Sequence, residues 1–309
     1  MKTSVALIVP MLNEAAGLPA LLDAIYAQTR RPDEIIFVDS GSTDAGLSII
    51  ANWWNANRWP DATCCIKPNP GGFPGYNRNV GMRSTSCTWI AFVDCGVYPE
   101  ANWLEALLDC VGSGGFLAVF GMCAFSAEGA LERTTCALSY GVGSEHPVLP
   151  ASLIHRNVFA EIGLFQENLR SAEDLKWMAL FETHFGQRIR CTGARVHYRH
   201  FPSSLIDVAK KWHQYQKNGI KAGLCKRQSV AFALMIGIGL AGILIHPAFA
   251  VWCGAVYFLL RGIVDPIRRS GSWNWWGSHP LLILLAPIVA LTIDSAKLTG
   301  ALRGYYPRD

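Results

Sequence analysis

Charge is what this sequence has least of. Only 16% of its 309 residues are Asp, Glu, Lys or Arg, against roughly 25% in an ordinary soluble chain. Hydrophobic residues make up 51%. The shortage is uneven: apolar runs dominate from Ser229 to the end, whereas residues 1–228 read as a common α/β chain. Metal-knuckle spacing is also missing. The ten cysteines include no C-x-x-C pair, and Cys64 and Cys65 are adjacent. Cys123 and Cys191 fall in apolar strand-like runs and Cys253 in an apolar helical run. Buried reduced thiols are expected, with disulfides as the alternative. No G-x-G-x-x-G follows the first apolar run, which argues against a dinucleotide-dependent dehydrogenase. "VALIVPML" has little of a signal peptide: one cation, Lys2, precedes it, and it stops at Asn13-Glu14. It reads as a first β-strand. Internal repeats and low-complexity stretches are absent from the sequence.

What charge there is collects in one place. Ten Lys or Arg lie between Arg188 and Arg227, opposed by Asp207 alone. That stretch carries +9 of a net +4, so the rest sums to −5. A basic stretch directly before apolar segments points to an anionic membrane surface rather than nucleic acid. The positive-inside rule then puts the preceding domain on the cytosolic face of the cell (inner) membrane.

Short apolar runs recur at 4–10, 34–39, 62–67, 89–94 and 116–125, as in strands buried on both faces. Helical spacing fills 17–28, 45–55 and 99–111, the last with Pro99 in its first turn. Alternating strand and helix predicts a doubly wound, mostly parallel sheet with ligands beyond the carboxyl ends of its strands. Those ends read "PMLNE", "VDSGSTD" and "VDCG". Glu173-Asp174 open a further helix after Ser171, and 188–200 reads as a last strand ending in His197 and His200. Residues 203–223 read as a basic amphipathic helix whose Trp212 and Tyr215 suit a membrane interface. Three apolar segments follow at 229–245, 247–264 and 280–293, with Trp273, Trp275 and Trp276 as an interfacial belt.

The ordered series "PMLNEAAGL", "FVDSGSTD", "GYNRNVGMR", "WIAFVDCG" and "SAEDLKW" resembles the family-2 inverting glycosyltransferases, over about residues 4–200. The resemblance implies a GT-A (Rossmann-like) catalytic domain acting on a nucleotide-diphosphate sugar of UDP or GDP type. It implies that Pro10, Asn13, Glu14 and Asp39 hold the nucleotide. Asp39 would accept from the base; the alternatives are a turn residue at Asp39 and a helix cap at Asp44. Arg78, on a glycine-rich loop entering a helix, would meet the diphosphate or donor, or be a plain surface arginine. Asp94 would reach the ribose or a Mg²⁺ or Mn²⁺ ion. The family's second acid is Gly96 here, so the metal set is Asp94 with His197 or His200; the histidines are otherwise interfacial or core residues. Asp174 matches the catalytic base, with Glu173 positioning the acceptor or base, or the two acids simply favour a helix N-terminus. Trp212 and Gln214 fall near an acceptor motif, or anchor an interfacial helix.

The expectation is thus a GT-A domain over 1–228, ending in the interfacial helix 203–223, and a membrane region over 229–309 with two or three apolar helices. The acceptor is expected to be a lipid-linked glycan at the membrane. The alternatives are a polyprenyl-phosphate glycosyltransferase, and a non-catalytic membrane scaffold or synthase subunit with a lost metal site.

Overall fold

The computed structural model describes residues 3–224, 234, 237, 239, 241, 242, 244, 246 and 248–306. Two compact units emerge: 1–124 with 145–198, and 125–144 with 199–309. Residues 125–144 and 199–228 thus group with the second unit. The expected apolar segment 229–245 lies largely outside the described residues.

The first unit is built on an eight-stranded sheet. Its strands are β1 (Val5–Met11), β2 (Glu34–Asp39), β3 (Thr63–Pro68), β4 (Trp89–Phe92), β5 (Val97–Pro99), β6 (Ala118–Phe125), β7 (Glu145–His155) and β8 (Arg190–Tyr198). The order across the sheet is β3-β2-β1-β4-β7-β6-β8-β5. The four strands β3, β2, β1 and β4 run parallel. Beyond β4 the β4–β7, β6–β7 and β5–β8 pairs are antiparallel. The helices joining the parallel strands are α1 (Leu18–Tyr26), α2 (Gly46–Asn57) and α3 (Pro74–Arg83). Leu18, Leu21, Leu22 and Ile25 form the buried stripe of α1, the face a helix must bury against a sheet. Four more helices complete the unit's elements and a neighbouring segment: α4 (Trp103–Gly114), α5 (Ala130–Ser139), α6 (Arg156–Ile162) and α7 (Glu173–Phe185); of these, α5 belongs to the second unit. Ile8, Ile36, Phe92, Phe120, Phe165, Trp177 and Phe181 form the centre of the first core. Phe92 meets Phe165 edge to face at 5.6 Å, and Phe159 stacks on Trp177 at 5.0 Å.

Two readings change here. Pro99 does not begin a helix. It ends β5, opposite Val196 of β8, and α4 begins at Trp103. The cause is a tight turn after β4: the Val97 N–H donates to the Asp94 carbonyl at 3.1 Å. Strand β7 was not expected at all, because Pro147 and Pro150 interrupt its pattern.

The second unit joins α5 to α8 (Leu205–Lys221), α9 (Ala248–Tyr257), a π-helical stretch (Phe258–Val264), α10 (Asp265–Ser270) and α11 (Leu282–Tyr305). Its core contains Leu138, Val208, Trp212, Trp275, Ala286, Val289, Ala290 and Ile293. Ser204 caps α8, accepting from the Asp207 N–H at 3.1 Å. Helix α11 packs extensively along α8. Hence Trp212 and Trp275, expected at a membrane surface, are instead buried between helices; Trp275 is 1% exposed. Trp273 is exposed. Two runs, Ala248–Ser270 and Leu282–Tyr305, are long and apolar enough to cross a membrane by length and composition. The third apolar segment is thus the start of a 24-residue helix.

Candidate active site

The carboxyl ends of β1 and β2 are stitched together by polar side chains. The Asn13 N–H donates to Ser42 Oγ at 2.9 Å, and Asn13 Oδ1 accepts from the Thr43 N–H at 2.8 Å. Asn13 takes a positive φ of 55°, which asparagine tolerates better than most residues. Asp44 Oδ2 accepts from the Ala15 N–H at 2.8 Å and Oδ1 from the Gly46 N–H at 3.0 Å. These bonds brace the turn between β2 and α2, whose N-cap position is Ala45 rather than Asp44. Asp39 is buried, and its carboxylate accepts from the Gly41 and Ser42 N–H groups and from Ser42 Oγ. It holds the turn in this geometry. Pro10 lies half-buried beside it, opposite Val38 in the sheet.

A second layer of polar bonds fixes the glycine-rich loop. Asn77 Nδ2 donates to Ser40 Oγ at 2.6 Å, and Asn77 Oδ1 accepts from Asn69 Nδ2 at 2.8 Å. Ser40 Oγ donates to the Gly72 carbonyl at 2.8 Å. Asn77 is buried, and sequence reasoning gave it no role. The signal was present: "NRN" puts three consecutive polar residues into a helix, and all three are buried.

Arg78 is the hinge of the site. It is not a surface arginine on a loop: it sits within α3, its side chain 2% exposed. Its Nη2 lies 2.7 Å from Asp94 Oδ1, and its Nη1 lies 2.5 Å from Glu173 Oε1. Helix α3 comes this close to the start of α7 because residue 75 is glycine. A Cβ there would lie 2.4 Å from the Gln166 carbonyl oxygen and 3.0 Å from Glu173 Cγ. Two buried atoms of this cluster, Arg78 Nε and Glu173 Oε2, have no hydrogen-bond partner among the described residues. Asp174 follows Glu173 in the first turn of α7. Burial pushes the carboxyls of both up, against the pull of the Arg78 guanidinium. A carboxylate whose affinity for protons is raised is the better suited to take one up.

Asp94 sits at the end of β4 with its side chain 35% exposed. Gly96, where a second acid was considered, has φ 91°. That left-handed value belongs to glycine in tight turns. Burial, with Asp94 and Asp44 beside it, pushes the Glu14 carboxyl up to about 7.

Among the described residues no three His, Cys, Asp or Glu side chains group as a metal would require. His197 Nε2 pairs with Glu100 Oε1 at 2.9 Å, and His200 is an exposed residue of the second unit. Asp94 alone keeps the character of a hard-ion ligand: an oxygen donor, partly open, amid a surplus of acids. Gln214 is half-buried on α8.

Residues 6–145 match the family model for Glycosyl transferase family 2. Glycosyltransferase AglE of Haloferax volcanii is 26% identical over 183 residues, 56% of this chain and 59% of that protein. A PGL/p-HBAD biosynthesis glycosyltransferase of Mycobacterium bovis is 36% identical over 109 residues, 35% of this chain and 41% of that protein. The matches therefore span well under two thirds of these relatives. Among solved structures, a mannosyltransferase from Pyrobaculum calidifontis, in complex with GDP-Man and Mn²⁺, superposes with a TM-score of 0.56 at 19% identity. The superposition covers 99% of this chain and 88% of that one, and it establishes the shared GT-A fold.

Proposed function

We propose that this chain, a family 2 glycosyl transferase through its residues 6–145, moves a sugar from a nucleotide-diphosphate sugar to a lipid-linked acceptor, with inversion. The observation that carries the reading is the Arg78 bridge. It joins Asp94, near the strand end where such sheets bind ligands, to Glu173 at the head of α7, next to Asp174. The donor would lie beyond β1, β2 and β4, its diphosphate beside the N-terminal turn of α3. Asp39 would serve the base by fixing the Gly41–Ser42 turn, with Pro10, Asn13 and Glu14 as the facing wall. Asp174 would take the proton of the attacking hydroxyl. Glu173, held by Arg78, would position the base.

A divalent ion fits the donor set through Asp94, with donor phosphate oxygens and water completing its shell. Such an ion stabilises a departing diphosphate. Arg78 holds the Asp94 side chain in place for either ligand. The mannosyltransferase neighbour, with its GDP-Man and Mn²⁺, supports this reading by fold.

Membrane attachment rests on the two apolar runs. Leu281, Leu284, Ile288 and Leu291 leave an exposed apolar stripe on and before α11, and lipid would cover it. Calorimetric titration of the detergent-solubilised chain with UDP and GDP, with and without Mn²⁺, tests the donor part. Binding of one diphosphate, strengthened by Mn²⁺ and losing that gain in Asp94→Asn, is expected. A chain that binds neither nucleotide overturns it.

A further inference from the structure

The second unit carries an ionic cluster on helices that are otherwise apolar. Arg261, Asp265, Arg268 and Arg269 follow at helical spacing along one run, and Asp294 and Lys297 lie one turn apart on α11. Arg261 grips Asp294 side-on, with Nε and Nη2 each 2.9 Å from a different oxygen. Tyr257 adds its hydroxyl to Asp294 at 3.0 Å. Arg261 Nη1 also bonds Asp265. Arg268 Nη2 takes the other Asp265 oxygen at 2.8 Å; Arg269 Nε stands 3.3 Å off without a hydrogen bond, while Arg269 Nη1 donates to the Ser139 carbonyl at 2.7 Å.

Both carboxylates are thus consumed, chiefly by Arg261. The remaining cations are in surplus. Lys297 is half-buried within electrostatic range of Asp294, Arg261, Arg269 and Asp265. It makes no hydrogen bond or ion pair with a described residue. Four cations face two carboxylates, leaving +2. Charges on apolar helices are costly and mark functional sites when their sign is unbalanced. Arg261 lies within the π-helical stretch Phe258–Val264, a rare helix form frequently found at functional sites.

We infer that Arg268, Arg269 and Lys297 bind the phosphate headgroup of a lipid. A phosphate monoester carries a charge of about −1.5 to −2 near neutral pH, which offsets the surplus. Arginine forks are shaped for its oxygens, and exposed Leu260 and Val264 on the same run would meet its chains. The inference rests on the lipid-facing part of the proposed function and not on its donor chemistry.

The test uses the full chain in detergent, with fluorescent phosphatidic acid as probe and diacylglycerol as its headgroup-free control. The intact chain should bind the phosphatidic acid in preference to diacylglycerol. The double variant Arg269→Gln, Lys297→Gln should weaken that binding by about tenfold or more and leave diacylglycerol unchanged. Lys297→Arg, which keeps the charge, should retain it. Equal binding by the double variant overturns the inference, as does displacement of the probe by inorganic phosphate as readily as by unlabelled phosphatidic acid. Nucleoside diphosphate binding, read on the same samples, reports the first unit. Its loss from every sample, the intact chain included, would count against the glycosyltransferase reading alone. Its retention in the double variant shows that the variant is folded.

Discussion

Arg78 and Glu173 stand 95 positions apart in sequence, and Nη1 of one lies 2.5 Å from Oε1 of the other. The same guanidinium holds Asp94 at 2.7 Å. One buried cation thus ties Asp94 to the head of the helix that bears the candidate base. Without it two carboxylates would lose their partner, one of them in a dry environment.

Replacing Arg78 should therefore cost stability as well as function. Arg78→Ala leaves Glu173 buried and unpaired, which costs about 3–5 kcal/mol where a buried pair loses one member. Asp94 adds little, because its side chain is partly in water. Arg78→Lys should fall between, since one ammonium cannot serve both carboxylates in the same way. Denaturant unfolding of the full chain measures both. A loss below about 1 kcal/mol for the alanine variant would assign the pair to the weak surface class.

Restoring the second acid should fail. Gly96→Asp would put a side chain at φ 91°, in the turn closed by the Val97 N–H and the Asp94 carbonyl. Strained backbone of this kind costs about 1–3 kcal/mol. The variant should melt lower and gain no affinity for Mn²⁺ over the parent chain. Tighter Mn²⁺ binding without loss of stability would show that the turn accepts the family's two-acid pattern.

Glu14 gives a pH signature. Burial and the neighbouring Asp94 and Asp44 raise its carboxyl from the ordinary 4.5 to about 7. The folded chain then holds this proton more tightly than the unfolded chain, so the group's stability contribution falls as pH rises from about 4.5 to about 7. Glu14→Gln mimics the protonated form. Its melting temperature, compared with the parent's without divalent ions, should be similar at pH 4.5 and higher at pH 8. A difference that stays flat over that range contradicts the assignment.

The parallel half of the fold was legible because each strand is a short apolar run that stops at a polar motif, as in "EIIFVD" and "WIAFVD". The antiparallel half was not. Strand β7 carries two prolines, and β5 is three residues long. The residues of the candidate site could be named from the sequence, but the Arg78–Asp94–Glu173 contacts could not. Nothing local in "GYNRN" says that Arg78 points inward to Glu173; that follows from the glycine at 75 and the approach of α7. His197 looked available for metal at a strand end, yet Glu100, 97 positions away, engages it. Trp212 and Trp275 read as interfacial because aromatics do favour that level. Their burial depends on α11 packing against α8, which composition does not encode.

Asp174 offers the most direct test of the central claim. The full chain and its Asp174→Asn variant would be incubated with a panel of UDP- and GDP-sugars and a membrane lipid extract, and nucleoside diphosphate release followed. The account predicts that the intact chain consumes at least one donor. It also predicts that the variant is slower by about a hundred- to ten-thousand-fold, the span of a lost general base, while binding the diphosphate as before. Equal turnover by the variant would contradict Asp174 as the base, and no turnover of any donor by the intact chain would contradict glycosyl transfer itself.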